Sequence, residues 1–198
     1  MVTLNWPNTV RVSGSCGLPL PGLSVRLIDN RDNDVPFGEE GELIVRGPNV
    51  MKGYHNKLDS TESALRGGWY RTGDLACMDA AGFLTITGRL KELIIRGGQN
   101  IAPAEVEETI QKFKGVRDCA VVGVPHETLG EVPVAFIVPE AGLPNLDDLR
   151  AFCAQTLSSY KMPDDVIEVS EIPRTGSGKI IRFRLRDSYT QSQESAGI

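Results

Sequence analysis

Residues 69–107, WYRTGDLACMDAAGFLTITGRLKELIIRGGQNIAPAEVE, contain the change of pattern that decides the fold. The polar cluster Tyr70-Arg71-Thr72-Gly73-Asp74 is followed by an Asp79-Ala80-Ala81-Gly82 turn and an apolar–polar alternation from Phe83 to Thr87, a hairpin pattern. After Gly88-Arg89-Leu90-Lys91 the period changes. A strand at Glu92–Ile95 and a Gly97-Gly98 loop lead to a helix starting near Pro103, with Val106, Ile110 and Phe113 on one face and Glu105, Glu107 and Glu108 in its first turns, where they suit the helix dipole. Asp74 and Arg89 form a pair suited to a sugar diol, because an ionised carboxylate accepts two hydroxyl hydrogen bonds while arginine only donates.

On the N-terminal side, glycines and prolines from Val10 to Gly22 mark a loop, and strands are expected at Ser24–Asp29 and Glu42–Arg46. Asp59 with Glu62 reads as a capping box that opens a short helix through Leu65. On the C-terminal side, strands are expected at Cys119–Val124, Pro133–Val138 and Val166–Val169. A helix at Leu146–Leu157 is opened by Asn145 with Asp148 three residues on. The fold class is therefore α+β: a small β-barrel-like subdomain over 1–89, then a compact βαββαβ domain over 90–187, with a polar tail over 188–198 expected to fray. The short connection at 88–91 invites a hinge.

Composition narrows the function. The 198 residues are 40% hydrophobic and 24% charged, an ordinary globular mix, and carry a net charge of −5. That balance argues against nucleic-acid or anionic-membrane partners, which need a basic patch. Cys16, Cys77, Cys119 and Cys153 are scattered, so neither a zinc site nor a disulfide framework is expected and the thiols should be buried and reduced. No basic leader and no apolar run approaching the roughly 20 residues of a membrane span is visible, which makes the cytoplasm the expected compartment.

Four blocks, in order, resemble the adenylate-forming (AMP-forming) acyl-CoA synthetase family. Gly41-Glu42-Leu43 through Gly47 to Gly53-Tyr54-His55-Asn56 is similar to its GEL…G…GY.N block, and Tyr70-Arg71-Thr72-Gly73-Asp74 to its ribose-binding block. Residues 88–107 resemble the hinge and thioester block, and Pro173-Arg174-Thr175-Gly176-Ser177-Gly178-Lys179 the terminal P-x-T-x-x-G-K block. The resemblance implies an enzyme that joins a carboxylic acid, fatty or aryl, to ATP as an acyl-adenylate and then transfers the acyl group to CoA. It assigns Asp74 and Arg89 to the ribose of ATP, Lys91 to the hinge, Gly98 to the pantetheine tunnel and Lys179 to adenylation catalysis. ATP and CoA are the implied cofactors, with Mg2+ expected in the full enzyme on ligands outside this chain; no metal site is assigned here. The family's phosphate loop and acid pocket are not among these residues. The chain is therefore expected to be a C-terminal part that needs an N-terminal portion and is inactive alone.

Taken singly, these residues have plainer readings. Lys179 could be a solvated loop lysine, Asp74 a turn residue, Arg89 a surface ion-pair partner and Gly97-Gly98 a tight turn. A Walker phosphate loop is excluded at 173–180, because Pro173 and Ile180 stand where Gly and Ser or Thr are required. His55 and His126 lie beside turn residues with no visible partner, and are given solvated roles. Two other functions stay open: an adenylation module that loads a carrier protein, against which Lys91 replaces the aspartate common in peptide-synthetase modules, and half of a split enzyme or a non-catalytic interaction domain.

Overall fold

The structure is a computed structural model and describes residues 1–5, 10–142 and 144–196, with no side-chain account of 194–196. Contacts divide the chain into two compact units, Met1–Lys91 and Glu92–Ile198. The first contains β1 (Thr3–Leu4), β2 (Leu18–Pro19), β3 (Ser24–Ile28), β4 (Glu40–Arg46), α1 (Leu58–Ala64), β5 (Leu65–Arg66), β6 (Trp69–Met78) and β7 (Leu84–Arg89). Strand β6 is central to its five-stranded sheet: β4 runs antiparallel along one edge, with β3 beyond it, while β5 and β7 pair with successive stretches of β6. Alternate residues point to one core, Leu27 from β3, Leu43 and Val45 from β4, Ala76 from β6 and Leu84 from β7. The loop expected at Val10–Gly22 includes β2, and its Gly17 bridges Leu84.

Helix α1 departs from the expected capping box. Lys57 is its N-cap and makes no side-chain cap bond, so Asp59 falls in the first turn. There its charge suits the positive end of the helix dipole. The hydroxyl of Thr61 holds the entry instead, donating to the Lys57 carbonyl at 2.8 Å and accepting from the Tyr54 N–H at 2.9 Å.

The second unit opens with a single 3-10 turn at Leu90–Glu92 that straddles the division. It continues with β8 (Ile94–Arg96), β9 (Gln99–Ile101), α2 (Pro103–Gln111), β10 (Val116–His126), β11 (Gly130–Pro139), α3 (Leu146–Cys153), β12 (Asp165–Glu168) and α4 (Arg182–Ala196). Strands β10 and β11 form a long antiparallel pair, and β12 joins β11 in parallel. Both faces of this pair are apolar, which is why CAVVGV and PVAFIV read as unbroken apolar runs. Cys119, Val121, Ala135 and Ile137 face Val106 and Ile110 of α2 and Leu149 and Cys153 of α3. Ala120, Val122, Val134 and Phe136 face Ile172 and, from α4, Leu185 with Tyr189 beside it. The Asn145 cap forms as expected, accepting from the N–H groups of Asp147 and Asp148 at 2.9 and 3.1 Å.

The α+β class holds, with two differences of element in the second unit. Strand β9 lies where only a loop was expected after the glycines. Helix α4 runs through Ala196, across the stretch from 188 expected to fray. Its sequence is polar nearly all round; Leu185 and Tyr189, one turn apart, pack it against that face of the strand pair, and Arg186 reaches Glu131 at 3.5 Å. Gly197 and Ile198, also in that stretch, lie outside the described residues. No described helix is long and apolar enough to cross a membrane.

Candidate functional site

The first candidate site is built by an irregularity in β6. Glu42 pairs with Leu75 and Ile44 with Arg71, so two steps of β4 face four of β6 and a bulge is forced at Thr72–Asp74. Gly73 takes a φ of +71°, the left-handed region that glycine enters without strain. The Thr72 hydroxyl donates to the Leu43 carbonyl at 2.7 Å and accepts the Asp74 N–H at 3.0 Å. Below them the buried Glu42 carboxylate accepts from the Gly73 N–H at 3.3 Å and from Arg71 Nη1 at 2.9 Å, and Arg71 also binds Asp32. Burial pushes the Glu42 carboxyl above its ordinary range, against the Gly73 N–H and the nearby Arg66 charge.

This scaffold sets Asp74 directly opposite Arg89 in the β6–β7 register, with Arg89 Nε 2.9 Å from Asp74 Oδ1. The pair keeps 26% and 51% of its side-chain surfaces open, so a ligand can still reach both charges. Beside the bulge a groove of about 740 Å³ is lined by Tyr54, Tyr70, Arg71, Thr72, Gly73 and Lys91 among others. Burial, then a hydrogen bond with Tyr54 that favours the neutral phenol, push Tyr70 above its usual range.

The second unit carries the remaining sequence-predicted residues. Gly97 and Gly98 form the two-residue turn of the β8–β9 hairpin, with φ of +55° and +81°. A Cβ on Gly98 would meet no atom of the chain within 4 Å, so it is backbone conformation that demands glycine here. Gly97 N–H donates to the Leu129 carbonyl at 2.7 Å, and Arg96 anchors the turn through the carbonyls of Tyr160 and Met162 at 3.1 and 3.2 Å and Asp164 at 2.7 Å. Lys179 is exposed on a loop closed by the Arg174–Ile180 bridge. Within it the Thr175 N–H donates to the Lys179 carbonyl at 2.8 Å, and the Lys179 N–H to the Thr175 hydroxyl at 3.1 Å. Arg174 spans the loop, bonding the Gly178 carbonyl at 3.1 Å and Asp118 at 2.9 and 3.0 Å.

Two sequence readings need correction, and a third residue has a role that was not read. Glu107, in the first turns of α2, is a buried carboxylate, accepting the Val121 N–H at 2.7 Å and held by Arg182. Its position one turn before Ile110, on the inward face of α2, was the available signal. His126 has partners: its Nδ1 accepts the N–H groups of Thr128 and Leu129 at 3.3 Å each and caps a turn, while His55 Nε2 lies 3.2 Å from Asn56 Nδ2. Of the four thiols only Cys119 and Cys153 are buried, with Cys119 pushed up to about 12 by desolvation. Among the described residues no group of three or more His, Cys, Asp or Glu could hold a metal.

The chain is similar to known proteins in sequence and in fold. The family described as AMP-binding enzyme C-terminal domain matches residues 105–179, and that described as AMP-binding enzyme matches residues 1–55. A long-chain-fatty-acid–CoA ligase of Escherichia coli is 42% identical over 88% of this chain and 31% of its own length. A feruloyl-CoA synthase of Amycolatopsis is 44% identical over 89% and 36%. Among solved structures, ATP-bound MatB from Rhodopseudomonas palustris superposes with a TM-score of 0.89 at 38% identity, covering 96% of this chain and 38% of that one. The o-succinylbenzoate CoA synthetase of Bacillus subtilis, in complex with its acyl-adenylate intermediate, gives 0.81 at 36% identity, covering 88% and 36%. The chain thus spans about a third of the length of the relatives it matches. It belongs to the AMP-forming acyl-CoA synthetase family and corresponds to the C-terminal portion of its members.

Proposed function

We propose that the chain acts as the C-terminal part of an ATP-dependent, AMP-forming carboxylic acid–CoA ligase, completed by residues that supply the phosphate loop, the acid pocket and the ligands of Mg2+. The observation that carries this reading is the Asp74–Arg89 pair held at a bulge, 2.9 Å apart and open to solvent. In the first step the acid's carboxylate oxygen attacks the α-phosphorus of ATP and pyrophosphate leaves. Asp74 accepts hydrogen bonds from the ribose hydroxyls, Arg89 orients Asp74, and the Lys179 ammonium offsets charge building on the reacting oxygens. In the second step the CoA thiol attacks the acyl carbon and AMP leaves, with the pantetheine arm passing the Gly97-Gly98 turn. Lys91 is the hinge between 1–89 and 90–187, and the compartment is the cytoplasm.

The test joins this chain, at Met1, to the preceding residues of the Escherichia coli ligase it resembles and assays acid-dependent pyrophosphate exchange. Exchange that falls on the order of 10²–10³-fold in Lys179→Ala supports the reading, that being the usual effect of deleting one charge-stabilising donor. Exchange indifferent to both Lys179→Ala and Asp74→Ala in an otherwise active fusion sinks it.

A further inference from the structure

The loop that bears Lys179 is held at both feet by arginines, and both reach β10. On the N-terminal side Arg174 Nη2 donates to both carboxylate oxygens of Asp118 at 2.9 and 3.0 Å. On the C-terminal side Arg182 donates to the carbonyl of Val121, three residues along the same strand, at 2.9 Å. Arg182 does more than fasten one foot. Its Nη groups clasp the buried Glu107 of α2, and its Nε reaches Glu92 at 2.9 Å. One guanidinium, 20% exposed, therefore joins four places: the residue after Lys91, helix α2, strand β10 and the first residue of α4.

We propose that Arg182 is a positioning residue for Lys179, and that its bond to Glu92 links the placing of the lysine loop to the segment adjoining Lys91. The planar fork suits this task because its donors point in fixed directions, one edge to Glu92 and another to Glu107 and Val121. An ammonium at the same position would neutralise Glu107 without holding all three. A purely structural account would have Arg182 only compensate the buried Glu107 charge, with Glu92 irrelevant to the loop. The two accounts part at Glu92, whose side chain is 40% exposed and can be neutralised without stranding a buried charge.

The proposal deepens the reading of Lys179 as the adenylation lysine, but its test does not depend on catalysis. Hydrogen exchange by mass spectrometry on the 198-residue chain follows the Gly178, Lys179 and Ile181 amides, which are bonded to Thr175 and Pro173. Amides of β10 and β11 serve as the internal reference. In Glu92→Gln the loop amides are expected to exchange about fivefold faster or more through local opening, with the reference amides unchanged. Arg182→Lys is expected not to rescue the loop, and adding Glu92→Gln to it should produce no further acceleration. An unchanged loop in Glu92→Gln, or equal acceleration of loop and reference, overturns the proposal. Lys179→Ala should leave loop protection as in the parent chain, so a lysine without a catalytic role would leave the positioning result standing.

Discussion

At the scale of single residues, Thr72 organises more of the candidate site than the charges it serves. Its hydroxyl satisfies the Asp74 N–H and the Leu43 carbonyl at once. Thr72→Val keeps the shape and strands both groups, so the unfolding free energy of residues 1–91 in urea should fall by about 1–3 kcal/mol. Glu42 beneath it gives a pH signature. Its carboxyl is raised above 4.5 by burial, so the folded state binds the proton more tightly than the unfolded chain does. Stability from this group is present below 4.5 and is lost as pH rises through the folded value. The stability of the parent chain relative to Glu42→Gln should accordingly fall as pH rises from 4.5, and a relative stability that rises would contradict the assignment. Asp74 and Arg89 were legible in the sequence as a pair. The bulge that aims them was not, because two extra residues in one strand show only against the partner strand.

At the scale of elements, the β8–β9 hairpin makes a demand that sequence pattern half revealed. A Gly-Gly pair between strand-forming residues is a hairpin signal, yet the three residues Gln99–Ile101 are too few to stand out as a strand. Gly98→Ala places a Cβ in open space but at φ +81°, so the cost should come from the backbone alone, about 1–2 kcal/mol in thermal or urea unfolding of residues 92–198. In the fusion enzyme the same change should slow thioester formation more than pyrophosphate exchange. Buried elements also sort the thiols: under native conditions at pH 8, Cys16 and Cys77 should react with a disulfide reagent, and Cys119 and Cys153 only on unfolding. Helix α4 escaped the sequence analysis for a related reason, since an amphipathic pattern needs more than the two apolar contacts that seat it.

At the scale of the whole molecule, the division at Lys91–Glu92 makes two bodies of unlike construction. The segment 92–198 encloses its long strand pair between two apolar linings, one under α2 and α3 and one under α4. Produced alone, it should melt cooperatively by circular dichroism, and a broad non-cooperative loss of signal would count against its independence. Among the described residues, 1–91 hold a single lining drawn from β3, β4, β6 and β7. Because the heat capacity gained on melting scales with the apolar surface newly wetted, a calorimetric scan of the intact chain should resolve into two endotherms. The cooler and smaller would come from the thinner body, so on warming the Asp74 carboxylate should lose its setting while the lysine loop still keeps its own.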